Sequence, residues 1–222
     1  QSGIRQVVIV DGGPGTGKSV VAVNLLASLI SQGRNARYVS KNRAPRQVIE
    51  QSLAGSLRRS RISTLFGGSG SFVDSPADEF DTLVVDEAHR LNEKSGLYGN
   101  KGDHQVSEII RAARCAIFFI DEDQRVTWKD VGRRDAIAER AIKAGAQVTT
   151  LRLESQFRCN GSDGYLAWLD DVLGIRSTVN TMLDPNEYDF RVLDTPQEVQ
   201  RLIEARNALQ NRARMVAGYC WD

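Results

Sequence analysis

The chain has 222 residues, 41% hydrophobic and 26% charged, which is enough for one large packed domain, or one domain and part of another, and excludes a disordered chain. No apolar run nears the roughly 18 residues of a membrane span, no basic-then-apolar leader is present, and three scattered cysteines form no disulfide or zinc framework, so a soluble cytoplasmic protein with no membrane partner is expected. The net charge of +1 hides a split: residues 1–66 hold ten basic side chains against two acidic ones, a net of +8, and the rest hold nineteen against twenty-six, a net of −7.

The apolar run Val7-Val8-Ile9-Val10 reads as a buried strand, and Gly12 to Gly17 interrupts it. Helical spacing resumes over 19–31 (Val20, Val23, Leu26, Ile30) and stops at Gly33. A short strand is predicted over 37–40, a helix opened by Pro45 up to about residue 59, and a weak strand over 62–66. Residues 82–85 form a clear buried strand, followed by a short helix over 87–91. The polar, glycine-bearing stretch 92–103 is read as a mobile loop. A helix over 105–113, a strand over 116–120, a helix over 129–144 and a strand over 147–153 complete an alternating series. Strands alternating with helices over 1–153 predict an α/β fold with a mainly parallel sheet covered by helices on both faces. Beyond it the pattern thins to helices over 164–173 and 197–213, the latter capped by Thr195 and Pro196, with a strand over 189–193.

Gly12-Gly13-Pro14-Gly15-Thr16-Gly17-Lys18-Ser19 fits G-x-x-x-x-G-K-[ST] between a predicted strand and a predicted helix. Glycines there let backbone N–H groups turn inward around a phosphate, and the helix N-terminus adds its dipole. Lys18 would reach the β- and γ-phosphates, and the Ser19 hydroxyl would ligate Mg²⁺. The strand over 82–85 delivers Asp86 at its carboxyl end to hold Mg²⁺, and Glu87 follows to polarise the attacking water. A solvated acid pair would be the ordinary reading of Asp86-Glu87. The buried strand before it and the glycine loop upstream favour the catalytic one.

With these two motifs in place, the chain resembles a superfamily-1 helicase motor, most closely the helicase-like domain of Schlafen group III proteins and their bacterial relatives, over nearly its whole length. Tyr38-Val39-Ser40-Lys41-Asn42-Arg43-Ala44 resembles the strand-end segment that touches single-stranded nucleic acid. Phe118-Phe119-Ile120-Asp121-Glu122-Asp123-Gln124 resembles the family's third motif, in which Gln124 would sense the γ-phosphate. Leu153-Glu154-Ser155-Gln156-Phe157-Arg158 resembles its fourth, in which Arg158 would contact the γ-phosphate across the cleft. The resemblance implies a RecA-type, P-loop NTPase three-layer sandwich over 1–153 as the first motor lobe. Nothing after residue 160 matches the family's fifth and sixth motifs, so 154–222 would be a partial or truncated second lobe.

The resemblance implies an ATP-binding, Mg²⁺-dependent, ATP-hydrolysing motor domain that acts on single-stranded DNA or RNA and works beside further domains of the same full-length protein. The basic cluster supplies its candidate strand contacts: Arg37, Ser40, Lys41, Asn42, Arg43 and Arg46. The competing reading is a nucleotide-dependent switch that hydrolyses slowly and unwinds nothing. A P-loop kinase is disfavoured because Glu87, Gln124 and Arg158 would then have no role. Of the remaining residues, His89 continues the Asp-Glu-Ala-His string, His104 reads as a surface residue, and Trp128, Trp168 and Trp221 read as core or interface.

Overall fold

The structure, a computed structural model, describes residues 3–43, 46–47, 50, 64–96, 99–125, 130–155, 163–179, 181–185 and 188–216. It divides into two compact units, Gln1–Asp163 and Gly164–Asp222.

In the first unit the strands are β1 (Gln6–Gly12), β2 (Ala36–Ser40), β3 (Phe66–Gly67), β4 (Phe80–Asp86), β5 (Ala113–Ile120) and β6 (Gln147–Leu153). They pair in the order β3-β2-β4-β5-β1-β6, and every pairing is parallel. The helices are α1 (Lys18–Ser31), α2 (Gln105–Ala112) and α3 (Arg134–Lys143). Helix α1 lies across β2, β4 and β5, whereas α2 covers β5 and α3 covers β1 and β6.

Three layers follow from the side-chain period of the strands. Val7 and Ile9 of β1 join Ile109, Ile110 and Ile137 in the core beneath α2 and α3. Val8 and Val10 face the other way, toward Ala22 and Leu26 of α1. Parallel strands covered on both faces must be apolar on both, which is why these segments read as unbroken runs. Each fully buried isoleucine or phenylalanine among them contributes about 1.5–3 kcal/mol. At the open edge, β6 leaves most of its residues exposed, Leu151 among them.

The strands and helices of the alternating series form close to their expected positions. The short helix after β4 is a 3-10 turn, Ala88–Arg90. The strand read over 62–66 is a two-residue pairing at Phe66–Gly67, and the helix read from Pro45 to about residue 59 lies largely outside the described residues. The stretch read as a mobile loop holds a reciprocal backbone pair, Ser95 with Lys101 at 2.9 Å in both directions, and Ser95 is buried. His104, read as a surface residue, is 6% exposed and caps α2, its Nδ1 accepting from Val106 N–H.

The second unit contains α4 (Asp163–Val172), from Gly164 on, and α5 (Pro196–Leu209). Thr195 caps α5 as expected, accepting from the Glu198 N–H. Trp168 is buried against Phe190, and Tyr165 stacks on Tyr188 at 4.3 Å. No strand forms over 189–193. Asp189 instead holds Arg191 and Arg206, and the alternating Phe190 and Val192 are largely exposed.

Among the described residues no helix is long and apolar enough to cross a membrane.

Candidate nucleotide site

The carboxyl ends of β1, β5 and β4 are consecutive across the sheet, and each delivers part of one cleft. From β1 the chain turns through the glycine loop into α1. Gly17 takes φ 82°, a left-handed conformation that side chains rarely adopt, and this lets the helix start abruptly at Lys18. Thr16 Oγ1 closes the loop by donating to the Gly13 carbonyl at 2.9 Å. Gly15, Gly17, Lys18, Ser19, Val20, Glu87 and Gln124 line a cleft of about 270 Å³.

Lys18 is 7% exposed and its ammonium is fully engaged. It donates to the carbonyls of Gly12 (2.7 Å) and Gly13 (2.8 Å) and to Asp121 Oδ2 (3.1 Å). Asp121 follows β5, the direct neighbour of β1, and is 2% exposed. Burial pushes its carboxyl above the ordinary aspartate range against the pull of Lys18.

At the end of β4, both oxygens of Asp86 are held. Oδ1 accepts from the Glu87 N–H at 3.0 Å, and Oδ2 accepts from the Tyr38 hydroxyl at 2.5 Å. Tyr38 stands on the adjacent strand β2, two residues before Ser40, which is in register with Asp86. Burial, reinforced by the carboxylates of Asp86 and Glu87, pushes the Tyr38 hydroxyl far above its ordinary pKa, so it stays a neutral donor.

Glu87 has φ 53°, left-handed backbone in a residue that is not glycine. That conformation swings its side chain off the strand and into the cleft. Buried His89 then fixes it. His89 Nδ1 accepts from the Asp121 N–H at 3.1 Å, which leaves the ring proton on Nε2, 3.1 Å from Glu87 Oε2. The His89 hydrogen bond holds the Glu87 carboxyl below its usual range. A chain of contacts therefore runs Lys18–Asp121–His89–Glu87 from the phosphate loop to the carboxylate.

Beneath this turn lies Gly132, where an added Cβ would stand 1.7 Å from the Ala88 carbonyl oxygen. The neighbouring Asp130 is buried between Lys41 (3.3 Å) and Arg90 (3.4 Å).

Gln124 closes a 3-10 turn after β5 and lines the cleft. Arg158 lies outside the described residues. Of the six proposed strand contacts, Arg37 donates to the Thr64 carbonyl and lies over the Phe80 ring at 4.9 Å. Its pairing with Leu83 sets it three residues back from the carboxyl edge. Lys41 is bonded to Asn92 (2.9 Å) as well as to Asp130. The Ser40 hydroxyl is buried with no hydrogen-bond partner among the described residues. Arg46 pairs with Glu50 at 3.7 Å, Asn42 is half-buried, and Arg43 is exposed.

Sequence reasoning missed Tyr38 as a support of Asp86, Asp121 as the partner of Lys18, and the node at Asp130 and Gly132. Asp121 carried one usable signal, its place at the end of an apolar strand.

The family model described as "Schlafen group 3, DNA/RNA helicase domain" matches residues 5–222. Among solved structures, a DNA replication initiation factor aligns over 93% of this chain and 56% of its own, at 16% identity and a TM-score of 0.36. AMPPCP-bound DnaA from Aquifex aeolicus aligns over 95% of this chain and 56% of its own, at 12% identity and a TM-score of 0.37. The chain thus spans little more than half the length of either structure. No curated protein matches.

Proposed function

From the premise that the chain belongs to the Schlafen group 3 DNA/RNA helicase domain family, we propose that it is a superfamily-1-type, ATP-binding and ATP-hydrolysing motor domain that acts on single-stranded DNA or RNA. The observation that carries this reading is the convergence of Lys18, Ser19, Glu87 and Gln124 on one cleft, with Asp86 held at its edge. In this reading 1–153 is the first motor lobe and 154–222 a partial second lobe. The protein is cytoplasmic and works with further domains of its full-length form.

Gly12, Gly13, Pro14, Gly15, Thr16 and Gly17 wrap the phosphates with backbone N–H groups, and Lys18 neutralises the β- and γ-phosphates. Ser19 and Asp86 would hold Mg²⁺. Among the described residues no three His, Cys, Asp or Glu side chains are grouped to hold a metal unaided. That fits an ion that takes one or two protein oxygens and completes its shell from water and phosphate. An ionised carboxylate has about four acceptor positions, and two donors leave Asp86 capacity for such a ligand. When bound, Mg²⁺ supplies charge neutralisation across the transferring phosphoryl group.

Glu87, ionised and oriented by His89, takes the attacking water's proton, while Gln124 reads the γ-phosphate and Arg158 completes the site on closure. Arg43, which is exposed, is with Asn42 the better-placed part of the strand-contacting set, because Arg37, Lys41 and Arg46 have internal partners.

The test is ATP turnover with and without single-stranded DNA and RNA. Lys18→Ala should lose nucleotide binding, whereas Glu87→Gln should keep it and lose hydrolysis. A Glu87→Gln variant that hydrolyses ATP at the parent rate defeats the catalytic assignment. Turnover indifferent to either nucleic acid favours the nucleotide-dependent switch. If Arg43 contacts phosphate, Arg43→Ala should flatten the log–log salt dependence of single-strand affinity by about 0.7. An unchanged slope removes it from the interface.

A further inference from the structure

An ammonium has three N–H donors, and in Lys18 all three are taken within the protein: by the carbonyls of Gly12 and Gly13 and by the carboxylate of Asp121. Two of those acceptors are neutral and belong to the loop that would itself wrap a phosphate. The third is an anion brought in from β5, the strand next to β1. Asp121 and Lys18 are both more than nine-tenths buried, so their contact is poorly screened by solvent. An incoming phosphate needs the same donor and carries the same sign of charge as the group already holding it.

We propose that Asp121 is an internal competitor for phosphate: it occupies Lys18 in the nucleotide-free protein and yields it when a nucleoside di- or triphosphate enters. This rests on the nucleotide-site reading above and adds to it how occupancy of that site is set. Two features suit Asp121 to the exchange. Burial already disfavours its charged form, so the cost of keeping the carboxylate desolvated offsets part of its attraction to Lys18. Its link to the other half of the site runs through its backbone N–H to His89, so releasing Lys18 leaves the support of Glu87 in place. The side chain gates the cradle while the main chain keeps the turn at 86–90 aligned.

The proposal predicts a gain of function, which a merely structural aspartate would not give. ADP affinity is measured by calorimetry, with and without Mg²⁺, for the parent chain, Asp121→Asn and Asp121→Ser, each checked by thermal melting. Removing the competing charge should tighten ADP binding about tenfold. Affinity unchanged or weakened in a folded variant, with the parent binding ADP, overturns the gate and leaves the nucleotide site standing. A parent chain that binds neither ADP nor ATP overturns both.

A measurement on the unmodified chain keeps the question open to decision if both variants misfold. The assigned ¹³C carboxyl resonance of Asp121 should move as ADP is titrated in. A resonance that stays fixed while ADP saturates the protein overturns the proposal.

Discussion

Replacing Gly132 with alanine tests whether the turn after β4 is held in place from below. The added methyl would lie 1.7 Å from the Ala88 oxygen, 2.6 Å from the Ala88 carbonyl carbon and 2.8 Å from the His89 Cα. Carbon contacts settle near 3.5–4.0 Å, so either the 130–133 segment or the Ala88–Arg90 turn must retreat by roughly 2 Å. All three clashing atoms are backbone, and no rotamer change relieves them. Val131 N–H also donates to the Leu91 carbonyl at 2.8 Å, which ties the two segments together and opposes a clean separation.

Overpacking of this kind costs about 3 kcal/mol, the upper end of its usual range. A displacement of only ~1 Å in a catalytic group lowers turnover by about a hundredfold, which corresponds to roughly 2.7 kcal/mol of barrier. The glycine loop has no part in the clash. The expected result is therefore split: a lower melting temperature and a kcat reduced about a hundredfold, with ADP affinity close to the parent's. Steady-state ATPase assays paired with calorimetry read all three. Parent kcat in the alanine variant would show that the Ala88–Arg90 turn is not positioned by Gly132.

His104 should make the fold acid-sensitive. Burial, aided by the positive charge of Arg140 and opposed by Glu93, lowers its pKa to about 4 from an ordinary 6.5. The unfolded chain therefore binds the proton first, and stability should fall by about 3 kcal/mol as pH drops from about 6.5 to about 4. His104→Asn keeps a capping side chain and removes this titration, so parallel urea-midpoint curves for parent and variant between pH 7 and 4 would refute the assignment. Tyr38→Phe strips a buried carboxylate oxygen of its donor and should destabilise the fold by about 2 kcal/mol. It should also raise the Mg²⁺ concentration needed for half-maximal ATPase activity, and an unchanged melting point and Mg²⁺ curve would show that Asp86 does not depend on it.

The sheet was legible because burial on both faces forces unbroken apolar runs, as at Val7–Val10 and Thr82–Val85. The glycine loop was legible because its spacing has a backbone mechanism. What escaped was whatever depends on lateral neighbours. Asp121 meets Lys18 because β5 inserts beside β1, a fact of strand order that local pattern does not encode. Arg37 was read from charge and Lys41 from charge and the resembled strand-end segment, and neither signal shows the internal partners that hold them, Thr64 and Phe80 for Arg37 and Asp130 for Lys41. The misread strand over 189–193 has alternation but pairs with no strand among the described residues, and alternation alone cannot reveal that.

The backbone of Glu87 sets what selection can do at that position. Left-handed φ is disfavoured for most side chains by about 1 kcal/mol or more and is tolerated far better by asparagine or glycine. A chain freed from any need to hydrolyse ATP would therefore gain stability by losing this glutamate. On the proposed reading, each lineage that keeps Glu87 does so against a standing thermodynamic bias. Relatives that have become non-hydrolysing binders should carry Asn or Gly there more often than Asp or Gln, and Glu87→Asn should melt above the parent while turning over no ATP.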